Sequence, residues 1–137
     1  MKLLDTNILI YELGEPHEFR EASIILMRMI HSGAIVANIN VEVIQEVVHY
    51  YHKQRRTDVA LRLFDRLSLL FPDPLPVLAT TAVAARDLLE RHPSIQTRDA
   101  FHAAVVFENR LEGIISADRG LDVITGLVRF DPKELAA

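Results

Sequence analysis

Cysteine is absent from the 137-residue chain, which excludes disulfides, thiolate metal sites and cysteine nucleophiles together. That absence fits a reducing compartment. No uncharged apolar run approaches the ~18 residues of a membrane-spanning helix, so no membrane partner is expected. The opening MKLLDTN places an acid at position 5, where a signal peptide would carry a long apolar segment, and the expected location is the cytoplasm. There is no internal repeat, no low-complexity tract and no linker rich in Gly, Ser or Pro. Residues 1–137 are therefore expected to form one domain, long enough to bury a continuous core. A surplus of positive charge is missing as well. The formal net charge of -4 argues against a protein that coats nucleic acid by bulk electrostatics, though not against an enzyme that meets it locally through a metal. The phosphate-loop pattern GxxxxGK[S/T] does not occur, which argues against nucleotide hydrolysis of that kind.

What is present is an ordinary globular balance, half apolar and a quarter charged. Leu3-Leu4 is a short apolar run ending at Asp5. Thr6 is read as the cap of a helix over Ile8 to Leu13, stopped by Gly14 and Pro16. Between Glu18 and His31, Phe19, Ala22, Ile25, Leu26 and Met29 recur at helical spacing. Ala34 to Ile39 is β-prone. Further helices are expected over Val41 to His52, from about Thr57 to Leu70 with Thr57 or Asp58 near its cap, over residues 80–91, and from Arg98 to about Arg110 with Thr97 as cap. Val77-Leu78 reads as a brief strand. Gly113 follows the last helix, and Ile114-Ile115 is a buried-strand signal running into Ser116-Ala117-Asp118. Strands alternating with helices imply an α/β fold with a parallel sheet covered on both faces.

The acids are informative through their positions. Asp5 and Asp118 each follow an apolar strand at its carboxyl end, where open α/β sheets place ligand sites. Glu46 lies mid-helix beside the apolar positions Val43 and Val47. Asp99 opens a helix whose next residues are Ala, Phe, His, Ala and Ala. One carboxylate near a core is costly to bury, and several together raise one another's pKa. A divalent cation relieves both costs, and hard oxygen donors suit Mg²⁺ or Mn²⁺. Each residue also has a plainer reading. Asp5 can serve as a helix cap, Glu46 can face solvent, Asp99 suits a first helical turn in any helix, and Ser-Ala-Asp-Arg-Gly is a common turn composition. Their joint placement favours the metal.

Four blocks in order then resemble the PIN-domain family, and within it the VapC-type toxins of toxin–antitoxin pairs. They are LLDTNILIY, NINVEVIQEVVHYY, IQTRDAFHAAVV and GIISADRGLD, spanning residues 3–122. The resemblance implies a PIN-like three-layer α/β/α fold with a central, mainly parallel sheet of four to five strands. It implies Mg²⁺ or Mn²⁺ in an acidic pocket, metal-dependent endoribonuclease activity, an antitoxin protein as partner and a homodimer. Asp5, Glu46, Asp99 and Asp118 match the catalytic and metal-binding acids. The expected division has Asp5 and Asp99 carrying the metal, with Glu46 and Asp118 acting through water or on the nucleophile. Thr6, Asn7, Asn40 and Ser116 match supporting positions; Asn40 departs from the more common Ser or Thr. Asp122 is near enough to Asp118 to substitute for it or assist it.

Competing patterns remain. Glu46-x-x-His49 and Asp99-x-x-His102 echo the motifs of di-iron carboxylate bundles, but a bundle leaves AIVANI and GIIS unexplained. A dehalogenase-type phosphatase needs a second Asp where Asn7 stands. An RNA-processing nuclease or a non-catalytic scaffold of the same fold would share these blocks, although a scaffold is expected to have lost an acid. His102, three residues beyond Asp99, is a candidate to approach substrate. Lys53, Arg55, Arg56, Arg62 and Arg66 can steer a phosphate backbone or simply be solvated. Leu61, Phe64, Leu67, Leu69, Leu70 and Phe71 exceed one helical stripe, which suits a dimer contact or an antitoxin groove.

Overall fold

A computed structural model describes all of residues 1–137. Strands β1 (Lys2–Leu4), β2 (Ala37–Asn38), β3 (Ile114–Ile115) and β4 (Arg129–Phe130) form one sheet in the order β2-β1-β3-β4. Every pairing is parallel, with Leu3 opposite both Asn38 and Ile114, and Ile115 opposite Phe130. Between the strands run helices α1 (Thr6–Leu13), α2 (Arg20–His31), α3 (Val41–His52), α4 (Thr57–Leu70), α5 (Ala79–Arg91) and α6 (Thr97–Glu108). A 3₁₀ turn (Arg119–Val123) follows β3, and α7 (Pro132–Leu135) ends the fold.

The layering follows from the period of two along a strand. Leu4 and Ile115 belong to an apolar cluster with Ile8, Leu26, Val43, Val47 and Leu67, so α1 to α4 cover one face. Leu3 and Ile114, one residue earlier, belong to a second cluster with Ala85, Leu88, Ala103 and Leu121, so α5 and α6 cover the other. This is the expected three-layer α/β/α arrangement with four strands. Because both faces are buried, the strands read as unbroken apolar pairs rather than as an alternation. Ala100, Ala103 and Ala104 are fully buried and let α6 lie close to the sheet. No helix is long and apolar enough to cross a membrane.

Several local expectations are corrected. Asp5, not Thr6, caps α1: its carboxylate accepts the Thr6 N–H at 2.7 Å, and Thr6 is already helical. Gln96 rather than Thr97 precedes α6, and it forms no side-chain cap. Helix α4 does run from Thr57 to Leu70 as expected, with Arg56 at the cap position and no side-chain cap bond. Only Ala37–Asn38 of the β-prone 34–39 stretch pairs with β1. Val77-Leu78 is not a strand. Leu75 instead makes an isolated parallel bridge to Asn40, its N–H donating to Ile39 O and its carbonyl accepting from Val41 N. Pro74 and Pro76 lack the N–H needed to extend that pairing. Gly113 opens the strand region, since α6 stops at Glu108; a Cβ there would lie 2.1 Å from the Val128 carbonyl oxygen. Strand β4 and helix α7 escaped the sequence reading, although Asp131-Pro132 is a cap followed by proline at the first helical position.

Candidate metal centre

The carboxyl ends of β1 and β3 lie side by side, and the helices that follow or cross them bring the acids in. Asp5, Glu46, Asp99 and Asp118 line one small cavity of about 90 Å³, with Thr6, Asn7 and Arg98 at its wall. The four acids read from the sequence therefore do converge.

Asp5 is the most constrained. Its Oδ1 accepts the Thr6 N–H, and its Oδ2 accepts the Ser116 hydroxyl at 2.6 Å and the Asn7 amide at 3.3 Å. Ser116 Oγ in turn accepts the Asn7 amide at 3.1 Å and the Asp118 N–H at 3.0 Å. One buried hydroxyl thus ties the end of β1 to the turn after β3. Burial pushes the Asp5 pKa up, and the charge of Glu46 adds to this; His102 and the Ser116 hydroxyl oppose the rise.

Glu46 is held at both oxygens but satisfied at one. The Thr6 hydroxyl donates to Oε2 at 2.7 Å. Oε1 lies 3.1 Å from His102 Nε2, an ion-pair distance, yet the alignment is too poor for a directed hydrogen bond and both buried atoms lack one. Burial would raise the Glu46 pKa, but His102, Thr6 and Arg98 together bring it below its usual value, so Glu46 stays ionised.

His102 is the residue whose position the sequence did not disclose. It is fully buried rather than poised at a substrate, one turn beyond Asp99 on the same helix. Asn40 explains its orientation. Asn40 caps α3 with Oδ1 on the Val43 N–H, which leaves its amide to donate to His102 Nδ1 at 2.9 Å. The histidine proton then sits on Nε2, facing Glu46 Oε1 and, at 3.7 Å, Asp5 Oδ1. Burial would depress the His102 pKa; Glu46, Asp5 and Asp99 outweigh this and raise it above its ordinary value, while the Asn40 amide on Nδ1 opposes a second proton there. By distance alone Asp5, Glu46 and His102 form a group able to hold an ion. The Nε2 proton argues that His102 positions Glu46 instead of ligating. Replacing His102 by Ala is expected to destabilise the protein by about 2–4 kcal/mol in urea denaturation, because Asn40 and Glu46 lose a buried partner. Mn²⁺ affinity should fall by roughly 10–100-fold in the same variant.

Asp99 has no hydrogen-bond partner although it is only 5% exposed. Burial first, and then the charges of Asp5 and Asp118, push its pKa to about 6. Asp118 caps the 3₁₀ turn through Oδ1 on the Gly120 N–H at 2.8 Å, leaving Oδ2 free. Asp122 is turned elsewhere: it is exposed and held by Arg129 at 2.8 and 3.2 Å, away from the cavity. His49 is exposed, so the E-x-x-H half of a di-iron pattern does not reach the site. Arg98, beside Asp99 in sequence, lines the cavity without having been singled out; as the residue preceding a buried acid in a first helical turn it gave no separate signal.

A divalent cation fits this donor set. Four carboxylates share a small cavity; Asp99 is 5% exposed and makes no side-chain hydrogen bond, and Glu46 Oε1 is a buried orphan oxygen. A family model described as the PIN domain matches residues 2–127. The chain belongs to the PIN-domain family. A VapC ribonuclease of Mycobacterium bovis and ribonuclease VapC13 of Mycobacterium tuberculosis are each 32% identical to this PIN domain over 130 residues, covering 95% of it and 99% of each relative. Ribonuclease VapC7 of Mycobacterium tuberculosis is 29% identical over 133 residues. Among solved structures, FitAcB from Neisseria gonorrhoeae superposes with a TM-score of 0.73 at 19% identity, covering 97% of this chain and 99% of that one. A toxin–antitoxin complex from Klebsiella pneumoniae gives 0.68 at 21% identity, covering 96% and 98%. These structures support the fold of the PIN domain described above.

Proposed function

We propose that this PIN domain is a metal-dependent endoribonuclease and the toxin of a toxin–antitoxin pair, acting in the cytoplasm. The observation that carries the reading is the convergence of Asp5, Glu46, Asp99 and Asp118 on one cavity in which Asp99 lacks any hydrogen bond. The ribonuclease names of relatives at 32% identity over nearly the full chain support the same reading.

Asp5 and Asp99 would hold a Mg²⁺ or Mn²⁺ ion directly, with Glu46 and Asp118 engaging it through water. When bound, the ion would supply charge neutralisation at a phosphate oxygen and lower the pKa of water. The chain's own residues do the rest. Ser116, Asn7 and the Thr6 N–H fix the Asp5 carboxylate, while Thr6 and His102 fix Glu46. Water attacks phosphorus, the bond to the leaving oxygen breaks, and the water proton passes to a carboxylate. Asp118 Oδ2, which has no hydrogen bond, is the oxygen assigned to that proton. Asp122 would act only indirectly, through the Arg129 side chain that also donates to the Ser116 carbonyl at 3.0 Å.

Support for an antitoxin comes from the solved toxin–antitoxin complex of the same fold and from unpartnered apolar surface. A groove of about 580 Å³ between α1, α2 and α4 is lined by Ile24, Met27, Leu69 and Leu70, with the Arg66–Glu12 ion pair at 2.7 Å across it. Leu67 and Phe71 of the same apolar surplus are buried in the core, while Leu61, Phe64 and Leu69 remain exposed. An antitoxin segment would take the groove, and a homodimer would use the remaining exposed side chains. The activity is tested by incubating the purified chain with mixed RNAs in Mg²⁺, in Mn²⁺ and in chelator. Cleavage in metal and none in chelator is expected; cleavage that persists in chelator overturns the metal-dependent reading.

A further inference from the structure

Beside the acidic cavity lies a larger groove of about 620 Å³, sharing Asn7, Arg98 and Asp118 with it. This volume is within the range of sites that enclose small organic ligands. Its far wall carries three rings. Tyr11 from the last turn of α1 stacks on His17 with centroids 4.1 Å apart and planes within 8°. Phe19 lies 5.9 Å from both, also near parallel. Backbone hydrogen bonding fixes the arrangement: His17 Nδ1 accepts the Phe19 N–H at 3.2 Å. None of the three rings belongs to, or packs on, either apolar core, and His17 is exposed. Core packing therefore does not account for the cluster.

The charges around it are unevenly committed. Lys133 of α7 sits 4.7 Å over Phe19 and pairs with Glu18 at 3.1 Å, so it braces the ring loop. Asp131 is engaged by Arg129 and by the Lys133 N–H, and Asp118 by Gly120. Arg98 and Arg119 line the groove, are exposed and make no ion pair. Two guanidinium groups that make no ion pair, Arg98 also acting at longer range on Glu46 and Asp99, and an aromatic platform thus flank the acids.

Resting on the ribonuclease reading, we propose that this groove binds one unpaired nucleotide of single-stranded RNA next to the scissile phosphodiester. The base stacks on the Tyr11–His17–Phe19 cluster and the neighbouring phosphates lie against Arg98 and Arg119. An unpaired base offers a face to an aromatic platform, whereas a base within a duplex has both faces covered by its neighbours. Recognition by stacking is tolerant of base identity, so the groove selects strandedness more than sequence.

Binding by the Asp5→Asn chain tests this without requiring cleavage. The probes are a fluorescent 12-nucleotide oligoadenylate, the same strand with one 2-aminopurine, and a blunt RNA duplex of equal length. His17→Ala, added to Asp5→Asn, is expected to weaken single-strand binding about tenfold and to abolish 2-aminopurine quenching, with the melting temperature unchanged. Arg119→Gln should reduce the slope of log affinity against log salt by about 0.7. Unchanged affinity and quenching in the His17→Ala chain would overturn the proposal, as would duplex binding as tight as single-strand binding. If these binding effects appear but the native chain cleaves no RNA in any metal, the groove stands and the ribonuclease reading falls. If the native chain cleaves RNA and His17→Ala changes nothing, the ribonuclease reading stands and the groove falls.

Discussion

Asp5→Asn is expected to reduce metal-dependent RNA cleavage on the order of a thousandfold while leaving the protein folded. The asparagine keeps the shape of the side chain and one carbonyl oxygen. That oxygen can still accept either from the Thr6 N–H or from Ser116 and Asn7, the three donors that fix Asp5. What it loses is the charge, the one property those neutral donors cannot replace for a cation. The expected separation is therefore sharp: a circular-dichroism melt close to the native one, and a cleavage rate near background in Mg²⁺ and Mn²⁺. Full activity in this variant would remove Asp5 from the site. Loss of both folding and activity would instead give it a structural role.

Asp99→Asn is expected to do something less intuitive, which is to stabilise the metal-free protein. In the folded chain the Asp99 pKa stands at about 6 against an ordinary 3.8, because burial and the charges of Asp5 and Asp118 disfavour its ionised form. The folded state therefore binds this proton more tightly than the unfolded one. The stabilising contribution is complete below about pH 4 and is lost as pH rises through 6. Above pH 6 the buried ionised carboxylate costs at most about 3 kcal/mol relative to an uncharged group, equivalent to roughly 10 °C in melting temperature. In chelator, Asp99→Asn should therefore melt higher than the native chain at pH 8 and match it near pH 4. Added Mn²⁺ at pH 8 should reverse the order, since the native chain gains binding energy that the variant forgoes. A variant less stable than the native chain at pH 8 in chelator would show that Asp99 is held by contacts absent from this arrangement.

The two effects share a cause. A pocket built to hold a cation keeps carboxylates where they repel one another, so the metal-free protein carries a cost that ion binding relieves. Ser116, Thr6 and Asn7 lower that cost at Asp5, and His102 lowers it at Glu46. Asp99 has no such partner, and its pKa is pushed up to about 6.

Much of this was legible in the sequence because the signals were local. Leu3-Leu4-Asp5 and Ile114-Ile115-Ser116-Ala117-Asp118 each print a buried strand followed by an acid, and parallel pairing of two such strands must bring their carboxyl ends together. Glu46 and Asp99 declared themselves by sitting on helix faces that are otherwise apolar. The helix starts were harder. Whether Asp5 or Thr6 caps α1 depends on one backbone rotation, which residue preferences at a cap do not distinguish.

The role of His102 was hidden for a different reason. Its spacing from Asp99 placed it on the right face, but its partner Asn40 lies 62 residues away, and only the packing of α3 against α6 reveals the contact. Likewise nothing local separates Asp118 from Asp122; the distinction comes from Arg129, supplied by a two-residue strand too short to show periodicity. The aromatic cluster at Tyr11, His17 and Phe19 spans a turn interrupted by Gly14 and Pro16, so no helical spacing predicts that those rings meet.

The most direct test is an anomalous difference map from crystals of the chain soaked in Mn²⁺. A single strong peak is expected in the cavity, within coordination distance of Asp5 and Asp99 carboxylate oxygens and absent from crystals of Asp5→Asn treated identically. A map with no peak there at saturating Mn²⁺, or with its only peak at another surface, would contradict the convergence of these acids on a metal.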